Sequence, residues 1–155
     1  MSPLLLLPLL VSSAAAAAQP PDWLSGLDFE PEAWCADGGD AFVGDGEGWL
    51  LQYWRTATGL VPVRTLATNP DVEHCVLSGG HVYFLDPALG VLAYRRSPET
   101  DPVMLAVYLP PPRGTGGFAP VSISLGEGDR STLRIEGPGG AIEEVPLIPF
   151  APVRA

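Results

Sequence analysis

Glu32-Ala-Trp-Cys-Ala-Asp-Gly-Gly-Asp-Ala-Phe-Val-Gly-Asp45 returns 41 positions later as Glu73-His-Cys-Val-Leu-Ser-Gly-Gly-His-Val-Tyr-Phe-Leu-Asp86. Glu32 falls on Glu73, Gly38-Gly39 on Gly79-Gly80, Phe42 on Tyr83 and Asp45 on Asp86. A short run, a Gly-Gly turn, an aromatic run and an Asp-led turn form a strand-turn-strand pattern. Gly48-Trp-Leu-Leu-Gln-Tyr53 then parallels Gly90-Val-Leu-Ala-Tyr94, with one residue inserted. A weaker third copy runs from Phe118 to Leu147, with Thr132-Leu-Arg-Ile-Glu136, a glycine turn, and Ala141-Ile-Glu-Glu-Val145. A period of about 42–50 residues with roughly four strands per unit is the signature of propeller blades, each of which buries its faces on its neighbours.

Outward from the repeat, the chain reads as strands throughout. The 18 Gly and 18 Pro of 155 residues sit between short β-branched and aromatic runs and leave no convincing helical period. Strands are predicted over Ala41–Val43, Trp49–Arg55, Leu60–Leu66, Val72–Leu77 and His81–Leu85. Five more are predicted over Val91–Arg95, Val103–Leu109, Val121–Leu125, Thr132–Glu136 and Ala141–Leu147. The fold class is therefore all-β: a partial propeller-like repeat of short antiparallel strands, with two clear blade-like units and one degenerate unit. A hydrophobic content of 46% is enough to bury a core. Closed propellers use about 4–8 blades. A partial propeller, a fragment completed by a partner chain, and a compact β-fold that reuses the blade pattern all remain open.

Charge narrows the partners. Eighteen acids face eight bases, all of them Arg, for a net charge of -10. With no Lys there is no polybasic tract for nucleic acid or for an anionic membrane surface, and neither is expected as a partner. Residues 1–18 carry no charged side chain. Their apolar block from Leu4 to Val11, followed by small residues and Ala16-Ala17-Ala18, has the layout of a secretory signal peptide. The block is short of the roughly 20 residues that span a bilayer. The expected organisation is a signal peptide at 1–18 and one domain at 19–155, secreted or periplasmic.

The second unit resembles a blade of the β-propeller phytases. The resemblance lies in Val72-Glu-His-Cys-Val76, the aromatic strand His81-Val-Tyr-Phe-Leu85, and Gly90-Val-Leu-Ala-Tyr-Arg-Arg-Ser-Pro-Glu99. The first unit, ending in Gly48-Trp-Leu-Leu-Gln-Tyr-Trp-Arg55, resembles the incomplete amino-terminal domains of two-domain members. The resemblance implies calcium-dependent hydrolysis of phosphate from phytate, a phosphoric monoester hydrolase activity. Carboxylates would hold Ca²⁺, which offsets substrate charge and activates water. It implies Glu73 and Asp86 as metal ligands. Arg55 and Arg95 would stand in as phosphate contacts for lysines this chain lacks, because Arg binds phosphate bidentately. The alternative is a degenerate, non-catalytic member that binds a partner or a phosphorylated small molecule, or completes another chain's ring.

The other candidates carry less chemistry. Asp37, Asp40, Asp45 and Glu47 form a glycine-rich acid cluster without the spacing of an EF-hand loop, and read as a solvated loop. Cys35 and Cys75 occupy nearly equivalent positions in successive units, which places them on neighbouring inner strands if the units are blades; they are a disulfide candidate in an oxidising compartment, or a pair of buried small hydrophobes. His74 and His81 lack a partner set and read as edge residues. Trp23, Trp34, Trp49 and Trp54 read as core, with sugar stacking as the alternative. Pro110-Pro111-Pro112 reads as a stiff linker.

Overall fold

In the computed structural model, which describes residues 21–68, 72–109, 117–128 and 131–149, the two copies open two equivalent sheets. The predicted signal peptide and the Pro110–Pro112 linker lie outside the described residues. The first sheet is a four-stranded antiparallel meander of β1 (Ala33–Asp37), β2 (Asp40–Gly44), β3 (Trp49–Thr56) and β4 (Gly59–Thr68). The second repeats it with β5 (His74–Ser78), β6 (His81–Asp86), β7 (Gly90–Arg95) and β8 (Leu105–Tyr108). The third has three strands, β9 (Ser122–Leu125), β10 (Thr132–Glu136) and β11 (Ile142–Pro146). The protein is all-β, built of three antiparallel sheets, none of them closed. Each of the ten predicted strands appears, with ends moved by a residue or two. An eleventh, β1, fills the first arm of the repeated strand-turn-strand pattern: Ala33-Trp-Cys-Ala-Asp37 has no β-branched residue to mark it as a strand by itself, and pairing with β2 holds it extended.

The sequence repeat is a repeat of register. Trp34 pairs with Val43 in the first sheet; Cys75 pairs with Phe84, each 41 positions on, in the second. Asp40 opposite Trp54 becomes His81 opposite Arg95. The bonds that flank the hairpins repeat too. Glu32 N–H donates to the Gly44 carbonyl at 2.9 Å, and Glu73 N–H to that of Leu85 at 3.0 Å. Arg55 N–H donates to Gly39 at 2.7 Å, and Arg96 N–H to Gly80 at 2.9 Å. Gly38 and Gly79 turn the hairpins at φ 59° and 57°, a left-handed conformation that a side chain disfavours.

Packing stacks the sheets in chain order. Ala33, Phe42, Leu50 and Leu66 of the first meet Val72, Val82, Phe84, Leu92 and Tyr94 on one side of the second. Phe84 and Tyr94 stack at 5.5 Å within that core. The other face of the second sheet, with Tyr83, Leu85, Val91 and Ala93, packs on Ile123, Leu133 and Ile135 of the third. A sheet covered on both faces buries every residue of its central strand, which is why His81–Asp86 is buried from end to end. Each large core side chain withdrawn from water contributes about 1.5–3 kcal/mol.

Both outer faces of the stack are finished. Ala41, Val43 and Tyr53 of the first sheet are covered by Leu24 from the 3₁₀ turn Asp22–Gly26, with Trp23, Leu27 and Phe29 alongside. The outer face of the third sheet is mostly polar, carrying Ser122, Ser124, Thr132, Arg134 and Glu136; Arg134 Nε donates to Glu136 Oε1 at 2.9 Å. The first strands lie side by side, β1 against β5 and β5 against β9. A disulfide joins Cys35 of β1 to Cys75 of β5, with Cα atoms 5.6 Å apart. Both half-cystines pack against the core between the first two sheets.

Candidate functional site

The acids come first, because the implied chemistry depends on them. Asp86 ends β6 and is 2% exposed. Its Oδ1 accepts the backbone N–H groups of Ala88 at 2.8 Å and Leu89 at 3.1 Å, and so shapes the turn into β7. Asp45, its counterpart, accepts from Glu47 at 2.8 Å and Trp49 at 3.0 Å in the same way. The repeated Asp is a turn-forming residue in both units. Glu73, just ahead of β5, is exposed while Asp86 is buried. Among the described residues there is no group of three or more His, Cys, Asp or Glu that could hold a metal ion. Ca²⁺ takes 6–8 oxygen ligands.

The glycine-rich acid cluster is divided by β2. Asp37 and Asp40 lie at the hairpin turn, and Asp45 and Glu47 follow the far end of the strand. The first pair is occupied. Arg96 reaches from the second sheet to place NH1 3.0 Å from Asp37 Oδ2 and NH2 2.8 Å from Asp40 Oδ2, and NH1 also donates to the Gly79 carbonyl at 3.1 Å. Hydrogen bonds and charge from the two carboxylates outweigh burial and hold the guanidinium pKa above its ordinary value. Arg96 thereby bonds the turn of one unit to that of the next.

The two arginines expected at phosphate lie on different sheets. Arg55, on the outer side of the first sheet, holds its guanidinium 5.1 Å from the centre of the Trp23 ring. Arg95 ends β7 on the second sheet, opposite His81, and is exposed. His81 is 6% exposed; its ring lies 6.3 Å from that of Tyr83, and its Nδ1 is buried without a hydrogen-bond partner among the described residues. Burial, then the nearby Arg95 charge, holds the imidazole pKa below its ordinary 6.5. His81 is thus a core residue, in contrast to its reading as an edge residue; His74 is exposed.

Sequence reasoning passed over a polar cluster centred on Gln52 and Arg64. Gln52, 1% exposed on β3, donates from Nε2 to the Arg96 carbonyl at 2.7 Å. Arg64 on β4 donates from Nε to Gln52 Oε1 at 2.8 Å, and from NH2 to the carbonyls of Arg95 at 2.8 Å and Ser97 at 2.9 Å. Its NH1 donates to the Thr100 carbonyl. Burial lowers the Arg64 pKa. The cluster moors the segment after β7 to the first sheet. The signal for it was a lone amide among Leu50, Leu51 and Tyr53: a polar group on a core face has to find partners.

No family model, curated protein or solved structure matches this chain. The geometry therefore stands by itself. An open groove of about 600 Å³ runs between Val76 of β5 and the segment Ile123–Gly128. Among the described residues its lining is mainly apolar and backbone, with Glu127 the one charged side chain. Shape and apolar contact are what such a groove offers.

Proposed function

We propose that the chain is an exported, degenerate propeller-type module of the phytase kind, and that it binds rather than catalyses. The reading as successive blades is supported by the matched registers of the first two sheets, their stacking in chain order, and the adjacency of β1, β5 and β9. The observation that carries the non-catalytic reading is Asp86. The acid nominated for calcium is buried, and one of its oxygens accepts two backbone N–H groups, as does the corresponding Asp45. Arg55, one of the two arginines nominated for phosphate, lies over the Trp23 ring in the same sense, while Arg95 is exposed at the end of β7.

The covered outer face of the first sheet and the polar outer face of the third favour a self-contained stack over a fragment waiting for another chain's blades. The test is phosphate release from phytate by the purified protein, with and without millimolar Ca²⁺, beside calorimetric titration of Ca²⁺ alone. Background hydrolysis and no Ca²⁺ heat are expected. Ca²⁺-dependent release that is lost in Glu73→Gln or Asp86→Asn would overturn the proposal and restore the enzymatic reading. Export is checked by sequencing the amino terminus of the secreted protein, which is expected to begin at Gln19.

A further inference from the structure

The two contacts between successive sheets are built differently. The first and second sheets share the Cys35–Cys75 disulfide, the Arg96 ion pairs to Asp37 and Asp40, and the bonds of Arg64 and Gln52. Between the second and the third, the described residues show apolar packing and two hydrogen bonds at 2.8 Å, from Ile148 N–H to Tyr83 Oη and from Tyr108 Oη to the Phe118 carbonyl. No ion pair crosses that contact among the described residues. His81 stands there. It is the counterpart of Asp40, 41 positions on, and the alternation of β6 gives it the face of Tyr83 and Leu85, which meets the third sheet. Asp40 accepts Arg96, whereas His81 Nδ1 is buried without a hydrogen-bond partner among the described residues.

Register sets the charges around the ring. Arg95 of β7 lies opposite His81 on one side, and Ser78 of β5 on the other. The third sheet turns Ile123, Leu133 and Ile135 to this face. Of its charged groups, Arg134, Glu136 and Glu144 take the outer face, Glu127 lies 4.0 Å from Arg134, and Glu143 is exposed on β11. A proton on His81 therefore adds to the Arg95 charge, and no carboxylate among the described residues offsets it. An ionised group buried without a partner is costly. We infer that His81 is an acid-sensitive latch: one proton on its ring loosens the third sheet from the second, while the first and second stay joined. A three-stranded sheet parted from its cover exposes Ile123, Leu133 and Ile135 and opens as a local unit. Burial, then Arg95, holds the ring's pKa below 6.5 while the sheet is docked, so the parted form takes up the proton first. Docking is complete above pH 6.5 and weakens as pH falls from there toward the docked pKa.

The test is amide hydrogen exchange of the full chain at about pH 7.5 and 5.5, each rate divided by that of the unprotected amide at the same pH. The opening constants of Ile123, Leu133 and Ile135 are expected to rise about 3–10-fold at the lower pH, since one proton allows at most about 10-fold per pH unit. Those of Phe42 and Leu50 in the first sheet are expected to change less than about 2-fold. His81→Gln, which cannot take up the proton, is expected to hold the third sheet equally at both pH values. Ser78→Asp is the second variant should the first fold poorly. It sets a carboxylate opposite the ring, gives the imidazolium a partner, and is expected to cancel or reverse the acid effect. Third-sheet protection that ignores pH overturns the inference, and so does an acid loss shared equally by all three sheets. An acid loss retained in His81→Gln, or in Ser78→Asp where that variant alone folds, overturns it as well.

Discussion

Removing the Cys35–Cys75 bond is expected to cost about 4 kcal/mol of stability, by the chain-entropy relation for a cross-link. The two cysteines are 40 residues apart in sequence. Freeing them returns to the unfolded chain the loop-closure entropy of everything from β1 to β5, a whole sheet. In the folded state they tie neighbouring first strands whose sheets already share a core, so the native structure has little reason to rearrange when the bond is cut. For a domain of this length each kcal/mol moves the melting temperature by about 3–4 °C, so the expected fall is about 12–16 °C. The assay is calorimetry or circular dichroism of the parent with and without reductant, beside a Cys35→Ala/Cys75→Ala double variant. The unfolded, unreduced protein is expected to show no reactive thiol. Free thiols in that sample, or a shift under about 3 °C in both comparisons, would refute the reasoning, because the loop entropy would then not be constrained by this bond.

Asp86→Ala is expected to destabilise by about 1–3 kcal/mol, because the turn N–H groups of Ala88 and Leu89 lose their charged acceptor; Asp45→Ala, at a more exposed turn, costs less, and paired urea titrations give the order. Arg64→Ala removes the donor to the buried Gln52 Oε1 and to the Thr100 carbonyl and is expected to cost about 1–3 kcal/mol, with amide exchange faster at Arg95–Thr100. His81 sets a pH dependence. Its folded pKa lies below 6.5, so the unfolded chain takes up the proton first as pH falls. The stability linked to the neutral ring is complete above pH 6.5 and is lost as pH falls from there toward the folded pKa. Urea midpoints at pH 7.5 and about pH 5 are expected to differ less in His81→Gln than in the parent.

Much of the architecture was legible because it is repeated. Glycine turns and alternating strands are local features, and a fixed offset of 41 residues between Glu32–Asp45 and Glu73–Asp86 carries register from one hairpin to the next. β1 is weakly marked in its own sequence, since Ala33-Trp-Cys-Ala-Asp37 has no β-branched residue, and it relies on β2 to hold it extended. The candidate site was legible as residue types only. Asp37 and Asp45 look alike in sequence, and the length of β2 separates them. Arg55 and Arg96 occupy equivalent positions, yet one meets an indole ring and the other two carboxylates, because what lies beside each sheet differs.

By itself the sequence determined the strand class, the repeat and its turns, since these follow from backbone preferences that each short segment expresses alone. It also determined that every cationic side chain of fixed charge would be an arginine. Tertiary structure decided which faces are covered, that Cys35 lies beside Cys75, that His81 is buried, and that Asp86 is spent on a turn. Those outcomes depend on which sheet stacks on which. Stacking is settled by the summed burial of many side chains across the sheets, a quantity no single segment of the chain contains.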